Sequence, residues 1–254
     1  MTINEVFPNP TVKQVVFQIH FPNLFYIENK IGELQMRIME EFPESAILFR
    51  QQVIFADMGP NAKIEDIAPQ AKEQGAKKIW QFKSPKKIEL NVLTDSLDLT
   101  SQFHKTYKNP GANHKFRDAI KFVLDNFFDI TKIPIIHRIG LRYIDECPVK
   151  ERNNETFQKY YNSTFPTGRF SIEDSEELLL KAVVRKGEYR VRYVEALQPP
   201  DKGGKLTLDF DAFKLNVKTE DYLTVTDDLH EFISEEYEKT IKQPVIDYMK
   251  SDGE

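Results

Sequence analysis

The chain has 254 residues, 40% of them hydrophobic and 30% charged, with a formal net charge of −5. Those proportions exclude a disordered or low-complexity chain, and the negative balance argues against a surface that grips nucleic acid along its whole length. No apolar run approaches membrane-spanning length, so no membrane partner is expected, and the single cysteine, Cys147, can form no internal disulfide.

The opening residues MTINEVFPNP carry neither a basic nor an apolar segment, so no secretory signal is read and a reducing cytoplasm is the simplest expected home. After Pro8 and Pro10, VKQVVFQIHF places Val15, Phe17, Ile19 and Phe21 on one face, the mark of a half-buried strand. Pro22 and Asn23 end it. Asn23 is the expected N-cap of a helix whose apolar positions are Ile27, Ile31, Leu34 and Ile38. Residues 46–55 read as a second strand and residues 57–75 as a long polar loop. KKIWQFKS and KKIELNVLTDSLDLTSQ supply two or three further strands, turning at Ser84-Pro85 and Thr94-Asp95. From Asn113 to Asp129, Phe116, Ile120, Val123, Leu124 and Phe127 recur at helical spacing.

The second half opens on IIHRIGLRYIDE, a strand with His137, Ile139, Leu141 and Tyr143 on one face and Arg138, Gly140 and Arg142 on the other. A short helix is expected across Asn154 to Asn162. LLLKAVVRKGEYRVRYVEAL then reads as a hairpin turning at Lys186-Gly187. KLTLDFDAFKL gives another strand, with Leu206, Leu208 and Phe210 inward and Asp209 and Asp211 outward. A last helix is expected from about Asp227, its N-cap, to Met249. The fold class that follows is α+β, a mostly antiparallel sheet with long amphipathic helices on one face. The order of elements repeats, over residues 12–130 and 135–250, without residue identity between the halves. Two β-α-β-β-β-α units fused in one body over residues 1–254 are the expected organisation.

Four short motifs in chain order resemble those of a sporadically distributed, functionally uncharacterised prokaryotic family. They are VFQIHFP (Val16 to Pro22), WQFKS (Trp80 to Ser84), RIGLRYI (Arg138 to Ile144) and DLHEF (Asp228 to Phe232), and they span nearly the whole chain. The resemblance implies no activity, substrate or cofactor. Its patchy distribution is similar to that of mobile or defence-associated genes.

Two guanidiniums on one strand face need an anionic partner. If Arg190 and Arg192 lie nearby, the four arginines Arg138, Arg142, Arg190 and Arg192 would form an anion or phosphate site, each offering a planar fork of donors. The competing structural reading pairs them with Asp145, Glu195, Asp209 or Asp211. Asp209 and Asp211, with Glu195 or His137, are a weaker metal alternative, since carboxylates at i and i+2 share a strand face. No local zinc spacing, Walker loop, Gly-x-Gly-x-x-Gly or Gly-x-Ser-x-Gly is present, and no cofactor is expected. His137, beside Ile139 and Leu141, reads as a core or interface histidine, and His230 as a helix-terminal one. Trp80 and Phe82, flanked by lysines, read either as a base-stacking platform or as core.

The absence of a complete catalytic constellation favours a non-enzymatic binding or assembly protein, self-associating or acting with a protein partner. The alternative is a phosphate-, nucleotide- or nucleic-acid-binding protein or a metal-dependent nuclease.

Overall fold

Period-two alternation makes strands with one face to bury, and the computed structural model, which describes residues 6–50, 77–199 and 204–251, pairs nine of them into a single sheet. The strands are β1 (Val12–His20), β2 (Glu44–Arg50), β3 (Lys77–Ser84), β4 (Ile88–Val92), β5 (Ser96–Ser101), β6 (Ile135–Cys147), β7 (Leu178–Lys186), β8 (Tyr189–Leu197) and β9 (Leu206–Lys218). The helices are α1 (Glu28–Ile38), α2 (Phe116–Thr131), α3 (Asn154–Tyr160), α4 (Tyr222–Thr240) and α5 (Gln243–Lys250). The fold is α+β, as the alternation and the helical stripes require.

Every strand pairing is antiparallel, in the order β2-β3-β4-β5-β1-β6-β9-β8-β7. Residues 12–101 thus supply one flank and residues 135–218 the other. They join where β1 meets β6, with Phe17 opposite Leu141 and Val16 opposite Arg142.

The helices gather on the face that carries Val15, Phe17, Ile19, Ile139, Leu141, Leu208, Phe210 and Ala212, all buried in one core. The stripe of α2 (Phe116, Ile120, Val123, Leu124 and Phe127) enters that core, and Phe127 meets Phe21 at 5.4 Å between ring centroids. α4 packs across β6 and β9, and α1 lies against α2. Trp80 and Phe82 are 5% and 1% exposed, so both rings belong to the core and offer no base a stacking face. Asn153 caps α3 by accepting a hydrogen bond from the Thr156 amide.

Several boundaries depart from the sequence reading. α1 begins at Glu28, and Asn23 caps nothing. The Phe21 and Leu24 amides are instead bound by the carbonyls of Asp95 and Thr94 in the β4–β5 turn, which holds this segment off the helix axis. The final helix is two. Pro244 lacks an N–H and its ring would collide with the Thr240 carbonyl, so α4 stops at Thr240 and α5 restarts with the proline in its first turn. α4 also starts earlier than expected, at Tyr222. Asp227 lies within it, taking Arg117 through two hydrogen bonds of 2.7 and 2.8 Å. His137 is exposed. Asn216, two strand positions from Lys214 on β9, takes a left-handed φ of 54°, and beyond it Ile136 and Val217 become the inward residues. The expected strand over 46–55 is described only to Arg50, and the expected loop over 57–75 lies outside the described residues. Among the described residues no helix is long and apolar enough to cross a membrane.

Two histidines are sealed into this body. His104 shares a hydrogen bond with Ser101 Oγ at 2.9 Å, and His230, well inside α4, shares one with the Tyr143 hydroxyl at 3.1 Å. Burial pushes both rings down to about 4, and burial raises the Asp145 carboxyl to about 7. Between pH 4 and 6.5 the unfolded chain takes up two protons on those rings that the native state refuses, while native Asp145 keeps one that the unfolded chain has lost. His20, lowered by burial and then by Arg138, acts in the same direction as the other histidines. Stability is therefore fully present above pH 6.5 and falls as the pH drops towards 4, by about 1.4 kcal/mol per unit for each net proton. Urea unfolding at pH 6.5, 5.5 and 4.5 checks the sign. Leu141→Ala, in the middle of the central strand, is expected to cost about 2–5 kcal/mol in the same assay at pH 7.

Candidate anion-binding site on the uncovered sheet face

Alternation has a second consequence: whatever β6 turns away from the core is left on a face that no described helix covers. Those residues are Arg138, Gly140, Arg142 and Ile144. Cross-strand pairing sets Gln18 opposite Gly140 and His20 opposite Arg138 on β1, and Phe213 opposite Gly140 and Asp211 opposite Arg142 on β9. β8 then adds Arg190 opposite Phe213 and Arg192 opposite Asp211. The four arginines read from the sequence are therefore neighbours on one face of three adjacent strands.

Their partners are specific. Arg142 grips Asp209 through two parallel hydrogen bonds of 2.6 Å, from Nε and Nη2. Arg138 donates from Nη2 to both oxygens of Asp211 (2.9 and 3.1 Å) and from Nη1 to Gln18 Oε1 (3.1 Å). Arg192 Nη2 reaches Asp211 Oδ2 at 3.1 Å, so one carboxylate serves two guanidiniums. Arg190 has no carboxylate among the described residues, and its guanidinium lies 6.0 Å from the Phe213 ring centre. Arg138 lies over the same ring, at 4.5 Å.

Gly140 makes this packing geometrically feasible. A β-carbon built there would stand 2.6 Å from Arg138 Nη1 and 3.0 Å from its central carbon. The glycine between the arginines is thus a seat: the Arg138 side chain folds back along its own strand and lies flat over the bare backbone. Electrostatics follow the burial. Arg138 has its pKa lowered, by burial first, with Asp211 pulling it back; Arg142 is raised, chiefly by its bond to Asp209. The side chain of Asp211 is 8% exposed and that of Arg138 19%, against 40% for Arg142 and Arg192.

Asp145 and Glu195, offered by the sequence reading as partners for the arginines, sit on the opposite face. Strand parity separates them, since Asp145 shares its side with Tyr143 and Glu195 with Tyr193. Asp145 accepts from Thr11 Oγ1 at 2.8 Å, and Glu195 accepts from Ser163 Oγ at 2.6 Å and from the Thr164 amide at 3.2 Å. Glu195 therefore cannot join Asp209 and Asp211 around a metal, and exposed His137 does not either. Among the described residues no group of three or more His, Cys, Asp or Glu side chains is placed to hold a metal ion. Cys147 is buried and its thiol pushed well up by burial, so it is no ready nucleophile.

Sequence reasoning missed Gln18, His20, Phe213 and Arg185 as members of this face, although Gln18 and His20 lie within VFQIHFP. Arg185 is opposite Arg190 on edge strand β7 and extends the basic row. Among the described residues, Asp209 and Asp211 are the carboxylates paired with Arg138, Arg142 and Arg192, while Arg185 and Arg190 extend the row, beside a depression of about 280 Å³ lined by Gln18, His20, Arg138, Arg142, Arg192 and Asp211. Towards the other flank the same row changes character. Gln81 donates to Asn91 and Asn91 to Asp98, and Lys83 faces Glu89 at 3.5 Å.

Compared with known proteins, the chain matches no protein-family model and no curated protein.

Removing the shared carboxylate is expected to hurt most. Asp211→Asn leaves the largely buried Arg138 without a charge partner and should cost about 3–5 kcal/mol, whereas Arg142→Gln, where the arginine side chain is 40% and that of Asp209 16% exposed, should cost less, about 1–2 kcal/mol. Equilibrium denaturation of the two variants separates these outcomes. Gly140→Ala should cost less than Asp211→Asn, about 1 kcal/mol, because the added methyl meets only the flexible end of Arg138, which can shift while keeping Asp211.

Proposed function

We propose that this chain is a non-enzymatic binding protein that docks an acidic protein surface on the uncovered, arginine-bearing half of its sheet. The observation that carries the reading is the imbalance on that face. Two aspartates order the guanidiniums without neutralising them, and Arg190 keeps its donors for something else. Preorganised arginines of this kind give specificity and a fast, salt-sensitive encounter with a complementary surface.

A protein partner fits better than a nucleic acid. A polyanion crossing the strands would leave the arginines and meet Asp98 and Glu89 within a few strand spacings, at a face of a chain whose net charge is −5. The aromatic rings that would stack bases are in the core. A protein surface can alternate its charges to match; a phosphate backbone cannot. The nuclease alternative has little to work with, because both outward aspartates are already engaged by guanidiniums.

Arg190→Glu tests the proposal cleanly, since it breaks no described ion pair. The probe is a fluorescent peptide of alternating glutamate and glycine, with a short oligonucleotide of equal charge beside it. Binding of the peptide to the wild type should weaken steeply with salt and fall by about ten-fold, about 1.4 kcal/mol, in the variant. Equal binding by both proteins, or a clear preference for the oligonucleotide, would overturn the reading.

A further inference from the structure

On the helix side of the same central strand lies a cavity of about 110 Å³, between β6, α4, the N-terminal segment and residues 105–109. Its walls are Phe7, Ile233 and Met249, and its floor is polar. The order of donors in that floor is dictated by chemistry. Asp145 Oδ1 accepts from Thr11 Oγ1 at 2.8 Å, which uses the only proton the threonine hydroxyl has. When the carboxyl is ionised, Tyr237, 2.6 Å from the same Oγ1, donates to it. The chain ends on the carboxyl, and Asp145 Oδ2 has no hydrogen-bond partner among the described residues although Asp145 is 6% exposed.

Beside it, His230 has one ring nitrogen on the Tyr143 hydroxyl, and its ring stacks on Tyr107 at 4.3 Å. Neither contact uses Nε2. At the mouth stand Lys108, paired with Glu231, and exposed Lys105, which has no carboxylate partner among the described residues. A buried carboxyl with one open oxygen, aromatic walls and a cationic rim is a site with two distinct ends.

We propose that this cavity binds a small zwitterion, its ammonium group on Asp145 Oδ2 and its anionic group towards Lys105 and Lys108. An ammonium placed there supplies the counter-charge that a buried carboxylate otherwise lacks, and the Tyr143 and Tyr237 rings add a favourable face for a cation. A volume that holds several waters restricts the ligand to the size of an amino acid or an aminoalkyl phosphate. Without ligand, burial holds the Asp145 carboxyl at about 7, opposed by Thr11 and Lys13. Among the groups facing it, the Cys147 thiol and the Tyr237 phenol are raised by burial and stay neutral, and His230 is neutral above pH 4. Seating an ammonium ionises the carboxyl, so binding near pH 7 releases a proton from Asp145 to the buffer.

The experiment is titration calorimetry with thermal unfolding, using glycine, β-alanine, γ-aminobutyrate and phosphoethanolamine, with ethylammonium and acetate as single-charge controls. At least one zwitterion should raise the midpoint by several degrees and release a proton at pH 7, and the controls should not. The longer-headed probes separate a carboxylate from a phosphate ligand. Asp145→Asn, which keeps the Thr11 contact, and Lys105→Gln, at the exposed mouth, should each weaken binding by about ten-fold. Arg190→Glu should leave it unchanged, which keeps this site separate from the docking face. If no zwitterion binds, or if both variants bind as the wild type does, the proposal fails.

Discussion

The pairing of β1 with β6 is the constraint from which the rest follows. Each strand is held on both edges, β1 by β5 and β6, and β6 by β1 and β9, so neither can shift register without turning its buried side outward. With Leu141 and Ile139 fixed inward, Arg138 and Arg142 are fixed outward, at the middle of a sheet with no described helix over them. Charges of one sign at that spacing repel. Asp209 and Asp211 answer from the next strand, and Gly140 lets the more buried guanidinium lie down rather than stand in the solvent. The carboxylates are thus part of the sheet's stability as well as of its surface chemistry.

One strand therefore serves two environments. Outward, β6 carries fixed positive charge in a broad shallow field suited to another macromolecule. Inward, at Tyr143 and Asp145, it carries neutral or nearly neutral polar groups beside a small cavity open at one end. The two are separated by the thickness of one sheet and share no side chain.

Much of this was legible in the alternation of residues. The outward pair of arginines, the inward Leu206, Leu208 and Phe210, the α2 stripe and the Gly187 turn, where φ is +62°, all follow from local pattern. What was not legible came from distant contacts. Asn23 fails as a cap because a turn some 70 residues downstream binds the neighbouring amides. His137 faces solvent because Asn216, on the partner strand, is left-handed. The separation of Asp145 and Glu195 from the arginines was, by contrast, written in strand parity. The break at Pro244 was equally local, and the helical spacing of Leu229, Ile233, Tyr237, Ile241 and Val245 running through it masked the proline. Asp145 as the floor of a cavity could not be read at all, since its surroundings come from Thr11, Tyr237 and Met249 at both ends of the chain.

The central position of β1 also sets an order of events during synthesis. β1 leaves the ribosome first, yet one of its two neighbours, β6, is made only after α2. The first flank can close as β1 joins β5, with Phe127 of α2 against Phe21 at the end of β1, so its greasy side is covered early. The other edge of β1 then waits, a row of unsatisfied amides and carbonyls beside a finished sheet. The nascent chain is consequently vulnerable along a line, not across a face, and whatever protects it need only occupy the place that β6 will take.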